Sequence, residues 1–139
     1  MERPDYRELP KILERMNNEG GYSASVLARG HGLLVASATS PTTNQDVVAA
    51  MCGMIGDVAE RVRKELHLGD VRDISLRCAF GKAVFKRVGA RGDDVLIIGA
   101  IMPKNVRYHS RAIGKATTHI RRLMGYKSVS YTHLTLPTN

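Results

Sequence analysis

The chain has 139 residues, 43% of them apolar, and a net charge of +8. That length suits one domain with a core of its own, and the charge favours acidic partners. Two cysteines, Cys52 and Cys78, stand too far apart for a Cys-x-x-Cys pair, which excludes a disulfide framework and a zinc ribbon.

Residues 1–8 read as a charged N-terminal arm without the apolar run of a secretion signal. A first helix is expected from Leu9 to Asn18, where Leu9, Ile12, Leu13 and Met16 fall at i, i+3, i+4 and i+7. Gly20-Gly21 ends it. Two strand-like runs follow, Tyr22 to Arg29 and Leu33 to Ala38, reversed through Gly30-His31-Gly32 with His31 an exposed turn residue.

A long helix is expected from about Asn44 to Leu66, with Thr43 as its N-cap and Asp46 three residues on. Val47, Met51, Met54, Ile55, Val58 and Val62 form one apolar set, and Val48, Cys52, Ala59 and Leu66 a second. Together they cover more than half the helix circumference, more than one sheet face needs, so a second contact is implied, most simply another subunit. Gly53 and Gly56 admit the close approach of a neighbouring backbone.

Asp73 to Phe80 alternates apolar and polar residues, the pattern of a half-buried strand. Gly81-Lys82 turns it into a strand over Ala83 to Val88, and Gly89-Ala-Arg-Gly92 reads as a flexible strand connection. Val95 to Met102 is apolar on both faces, as a central strand is. Pro103 stops it, and a last helix is expected from about Arg107 to Met124. Its core face is Ala112, Ile113, Ala116, Ile120, Leu123 and Met124; Arg107, Arg111, Lys115, His119 and Arg122 form a basic stripe opposite.

The fold class is therefore α+β, in the order α-β-β-α-β-β-β-α, within one domain over residues 9–124. Residues 125–139 read as a tail. Within it, residues 129–138 look like translated sequencing adapter, and burial of Tyr131, Leu134 and Leu136 in the core is not expected.

This order, with the words Gly32-Leu-Leu-Val-Ala-Ser37, Ala49-Ala50-Met51, Glu65-Leu-His-Leu-Gly69, Val95-Leu-Ile-Ile and Pro103-Lys-Asn105, resembles the prokaryotic type of the roadblock (dynein light-chain) family. The resemblance implies a five-stranded antiparallel sheet with helices on both faces, a roadblock/profilin-like arrangement. It also implies a dimer, with itself or a paralogue, in which third strands pair edge to edge and second helices lie side by side. Members are generally scaffolds or regulators, not enzymes, and many prokaryotic ones are thought to work with Ras-like small GTPases. Two departures stand out: His31 replaces the usual acid before the turn glycine, and Val106-Arg-Tyr-His109 is bulky and basic.

Catalytic motifs are missing. Gly81-Lys82 lacks the spacing of a phosphate-binding P-loop, and no Gly-x-Ser-x-Gly elbow occurs. Gly89-Ala-Arg-Gly92 has the shape of an RNA-clamping Gly-x-x-Gly loop but joins strand-like runs. His31, His67, His109 and His119 make no zinc pattern. No cofactor, metal or catalytic residue is expected.

The expected dimer interface is Val48, Met51, Cys52, Ile55, Ala59, Ile74, Leu76 and Cys78. The expected partner-binding residues are Arg107, Arg111, Lys115 and Arg122. The expected function is that of a cytoplasmic, non-enzymatic dimeric adaptor that binds a small GTPase. The alternatives are a basic nucleic-acid-binding module and a structural light chain. Nucleic acid is the weaker partner, because only Tyr108 offers a stacking ring near the basic stripe. No run is long enough to span a bilayer, and an anionic membrane surface stays open as a partner.

Overall fold

The computed structural model describes residues 5–91 and 94–126 of the chain. The expected helical stripe of Leu9, Ile12, Leu13 and Met16 is fully buried and defines α1 (Glu8–Gly20), which Gly21 closes at a φ of 74°. β1 (Ala24–Arg29) and β2 (Leu34–Ala38) pair antiparallel. α2 (Gln45–Leu66) follows, then β3 (Asp73–Cys78), β4 (Gly81–Arg91), β5 (Asp94–Met102) and α3 (Ser110–Met124).

The sheet order is β2-β1-β5-β4-β3, antiparallel throughout. β5 sits in the centre, as its two-sided apolar run requires. Its Leu96, Ile98, Ala100 and Met102 face α1 and α3, while Ile97 faces α2 on the other side. The two-residue period thus sorts one strand into two cores. Helices cover both faces, and the element order and fold class are those expected.

Three local expectations need correction. The N-cap of α2 is Asn44, not Thr43: its side chain accepts from the backbone N–H groups of Asp46 at 3.0 Å and Val47 at 3.3 Å. Residues 89–91 are not a loop, because β4 continues through Arg91 after a bulge between Arg87 and Gly89. Gly89 is needed there because the Tyr126 ring lies where a side chain would stand, 2.7 Å from an ideal Cβ. The last helix begins at Ser110, so Arg107 belongs to the preceding loop.

Gly53 and Gly56 admit a neighbouring backbone, as expected, and that backbone is the chain's own β1–β2 turn. A Cβ on Gly53 would lie 2.9 Å from the Gly32 amide nitrogen, and one on Gly56 would lie 2.9 Å from the Gly30 carbonyl. Gly99 does the same for the sheet, where its missing Cβ makes room for Cys52 Sγ. The arm expected over residues 1–8 is described only from Asp5, where the Asp5 carboxylate accepts from Arg7. Tyr126, inside the expected tail, packs against the core, whereas the adapter-like residues 129–138, including Tyr131, Leu134 and Leu136, lie outside the described residues.

Candidate interaction site

β3 is an outer strand of the sheet, so one side of its backbone has no strand partner among the described residues. The alternation identifies which groups these are. Arg72 accepts from the Arg87 amide, and in an antiparallel pair the inward-bonded residues recur every second position. Arg72, Ile74, Leu76 and Cys78 therefore bond to β4, while Asp73, Ser75 and Arg77 turn their N–H and C=O groups to the open edge.

The side chains of β3 divide the same way. Ile74 and Leu76 stand opposite Phe85 and Ala83, on the face that carries α2. α2 packs mainly on β1, β5 and β2, and Leu76 is left 46% exposed. Between the second half of α2 and β3 runs a groove of about 580 Å³. Ile55, Ala59, Ile74, Phe85 and Ile97 give it an apolar lining. At its rim Arg87 pairs with Asp70 at 3.3 Å, and Arg63 holds the Glu60 carboxylate below its usual range through a hydrogen bond.

Beside the groove, α2 exposes a stripe of large apolar side chains: Val47, Met51, Met54 and Val58, with Met54 67% exposed. Their spacing of i, i+4, i+7 and i+11 is one continuous helical face. An exposed apolar strip of this kind, next to an open strand edge, marks an interaction surface.

The expected interface residues separate on this geometry. Met51, Leu76 and Cys78 are exposed, and Ile55, Ala59 and Ile74 are half-buried along the groove. Val48 and Cys52 are instead buried within the single copy, packed with Ala49 against Val26, Phe85 and Ile97. Their side chains are already enclosed by the chain's own sheet, and burial pushes the Cys52 thiol up to about 12. Sequence reasoning placed Val47, Met54 and Val58 among the apolar positions but left them out of the interface. The signal that distinguishes them is the glycine pair: Gly53 and Gly56 mark the side of α2 that meets backbone, and the exposed stripe lies away from it.

Of the expected basic residues, Arg107, Arg111, Lys115 and Arg122 are all exposed, on the sheet face opposite α2. Lys115 pairs with Glu19 of α1 at 3.2 Å. His119 is half-buried and lies with Arg15 and Glu19 in a small cleft between α1 and α3. Arg121 is held differently, donating to the Val88 carbonyl. No group of three or more metal-ligating side chains is assembled among the described residues, and no helix among them is long and apolar enough to cross a membrane.

No curated protein matches the chain by sequence. Solved structures share its fold. MglB of Myxococcus xanthus aligns with a TM-score of 0.78 at 12% identity, over 93% of this chain and 98% of that one. The gliding protein MglB from Thermus thermophilus aligns at 0.70 and 12% identity, over 86% and 90%. A Roadblock/LC7 domain from Streptomyces avermitilis aligns at 0.71 and 12%, over 81% and 94%. The sequence pattern of the Roadblock/LC7 domain matches residues 9–98, well over half of the chain, and the chain therefore belongs to the Roadblock/LC7 family.

Proposed function

We propose that this chain is a dimeric adaptor that performs no chemistry itself and binds a Ras-like small GTPase. The observation that carries the reading is the open edge of β3 beside the exposed stripe of α2. A second copy satisfies both: its β3 pairs antiparallel with this one, and its α2 lies against Met51, Met54, Ile55, Val58 and Ala59. Of the edge residues, Ser75 is central. A two-fold through Ser75 sets Asp73 against Arg77 of the second copy, twice, and uses every outward-facing group of both strands. Shifting the register brings Asp73 against Asp73, or Arg77 against Arg77, or leaves edge groups without a strand partner.

The two-fold keeps each sheet face on its own side, so both α2 helices share one surface of the dimer. A GTPase seated on that surface is biased towards whichever nucleotide state fits it better, and the adaptor shifts populations without contributing a reacting group. Membership of the Roadblock/LC7 family supports this class of partner. The test is sedimentation of the wild type beside Leu76→Asp and Met54→Glu, followed by binding to the small GTPase encoded nearest this chain, loaded with GDP or with a GTP analogue. A dimer that each substitution dissociates, and a nucleotide-dependent affinity, are expected. A monomeric wild type at micromolar concentration rules out the dimer, and equal affinity for both nucleotide states rules out the regulatory role in favour of a structural light chain.

A further inference from the structure

From Ile74 to Arg91 and from Val95 to Tyr126, every charged residue is a lysine or an arginine. The acidic residues lie outside these two stretches, with Asp73 and Asp94 at the first positions of β3 and β5, so the positive charge of the chain is concentrated on the rest of β3, β4, β5 and α3. One corner of this region differs from the rest. The β3–β4 turn places Phe80 at the tip with 96% of its surface exposed, and the loop before α3 places Tyr108 at 88%. Lys104, Arg107 and Arg111 are exposed in and just after that same loop.

The two segments form one unit. Lys82, just past the turn, donates from Nζ to the Val106 carbonyl at 3.1 Å and lies 3.1 Å from His109 Nδ1. Gly81 lies so close to the end of β5 that an added Cβ would be 3.0 Å from the Met102 carbonyl. Tyr22 ties the loop from below, donating to the His109 carbonyl at 2.6 Å. The aromatic tip is thus anchored to the cationic loop, and Asp73, the acid nearest in β3, lies at that strand's opposite end, where its charge still reaches His109.

We infer that this corner docks on an anionic lipid bilayer. A phenyl ring exposed over 96% of its surface at the apex of a turn is placed to insert into a soft interface and not to fill a fitted pocket. A fluid interface needs none: aromatic rings settle at the headgroup level, and lysine and arginine beside them meet anionic lipid. The combination of a shallow apolar insertion and several cations is the two-part signal that peripheral membrane binding requires. The tip adjoins the edge that carries the adaptor reading without being part of it, because β3 ends at Cys78, two residues before Phe80.

The test is co-sedimentation of the full chain with vesicles of phosphatidylcholine alone, or with one third phosphatidylserine. Binding is expected only to the anionic vesicles, and it weakens as salt rises. Arg107→Glu with Arg111→Glu should lower that binding by at least about tenfold. Phe80→Ser, which leaves the charge unchanged, should lower it roughly fivefold. Lys11→Glu with Arg15→Glu, the same charge change on α1, should have no comparable effect. Equal binding to neutral vesicles, indifference to the loop reversals, or an equal loss from the α1 reversals overturns the inference. So does an absence of vesicle binding while a single-stranded oligonucleotide binds with the same dependence on Phe80.

Discussion

Asp73 and Arg77 project from the same face of β3, about 13 Å apart along the strand, and both turn their backbone groups to the open edge. An antiparallel two-fold centred on Ser75 brings each against the other in the second copy. We expect Asp73→Arg and Arg77→Asp each to weaken the dimer about tenfold, since each replaces two attractive cross-strand pairs by two repulsive ones. The double exchange should recover most of the affinity. Within one copy the exchange is nearly balanced, because Asp73 faces Lys86 and Arg77 faces Lys82. Sedimentation equilibrium measures all four proteins. If the double variant dissociates as readily as the singles while the wild type dimerises, the register is wrong and the dimer reading stands.

Two helical glycines should respond in opposite directions to alanine. Gly53 meets the β1–β2 turn backbone, with the Gly32 nitrogen 2.9 Å and the His31 carbonyl carbon 3.0 Å from an ideal Cβ. Backbone on both sides cannot yield cheaply, so Gly53→Ala should destabilise by about 1–3 kcal/mol despite alanine's better helix propensity. Gly114 in α3 has nothing within 4 Å of its missing Cβ. Gly114→Ala should stabilise by roughly 0.5–1 kcal/mol. Urea denaturation of both variants beside the wild type measures the difference.

The legible parts of the fold were those with a local physical cause. Val95 to Met102 is apolar at both parities, and only a strand covered on two faces tolerates that, so its central place followed. The setting of α2 was harder. Its apolar residues span more than half a turn, so periodicity shows that it is buried on one side without showing which side. Contact with the β1–β2 turn and with Gly99 decides it, placing Val48 and Cys52 inward and Met54 and Val58 outward. Gly89-Ala-Arg-Gly92 read as a connection because the reason for Gly89 is the Tyr126 ring, far along the chain. The Phe80 corner was half visible: the basic residues stood out, but the tie between the β3–β4 turn and the loop before α3 runs through Lys82, which pairs with Met102 and donates to the Val106 carbonyl.

The two thiols should behave as different chemical species. Cys52 is buried, with its thiol pushed up to about 12, so almost none of it is thiolate at neutral pH. Cys78 is exposed at the end of β3. We expect a disulfide reagent at pH 8 to modify one thiol in the native protein and the second only after unfolding. Under the Ser75-centred pairing Cys78 lies opposite Arg72 of the second copy, so its rate should fall as protein concentration rises through the dimer dissociation constant. A rate independent of concentration removes Cys78 from the interface.

His109 makes stability depend on pH in a defined direction. Its imidazole is held below its ordinary value, first by burial and then by the Lys82 ammonium beside Nδ1, with the Asp73 carboxylate opposing both more weakly. The unfolded chain therefore binds this proton more readily than the folded one. Stability from this site is fully present above the unfolded value of about 6.5 and is lost as pH falls from there towards the folded value. Protonation also removes the lone pair that faces Lys82, loosening the loop that carries Arg107 and Tyr108. We expect the urea midpoint to fall between pH 7.5 and 5.5, and His109→Gln, which keeps an acceptor and cannot titrate, to flatten that part of the profile. Lys82→Met should flatten it partly, since the burial contribution survives. An unchanged slope in His109→Gln would assign the acid sensitivity to the carboxylates that pair on the surface, of which Asp5 and Glu60 are held low by their arginine neighbours. Those groups lose their contribution at lower pH, as they protonate below their unfolded values, so the two origins separate along the pH axis.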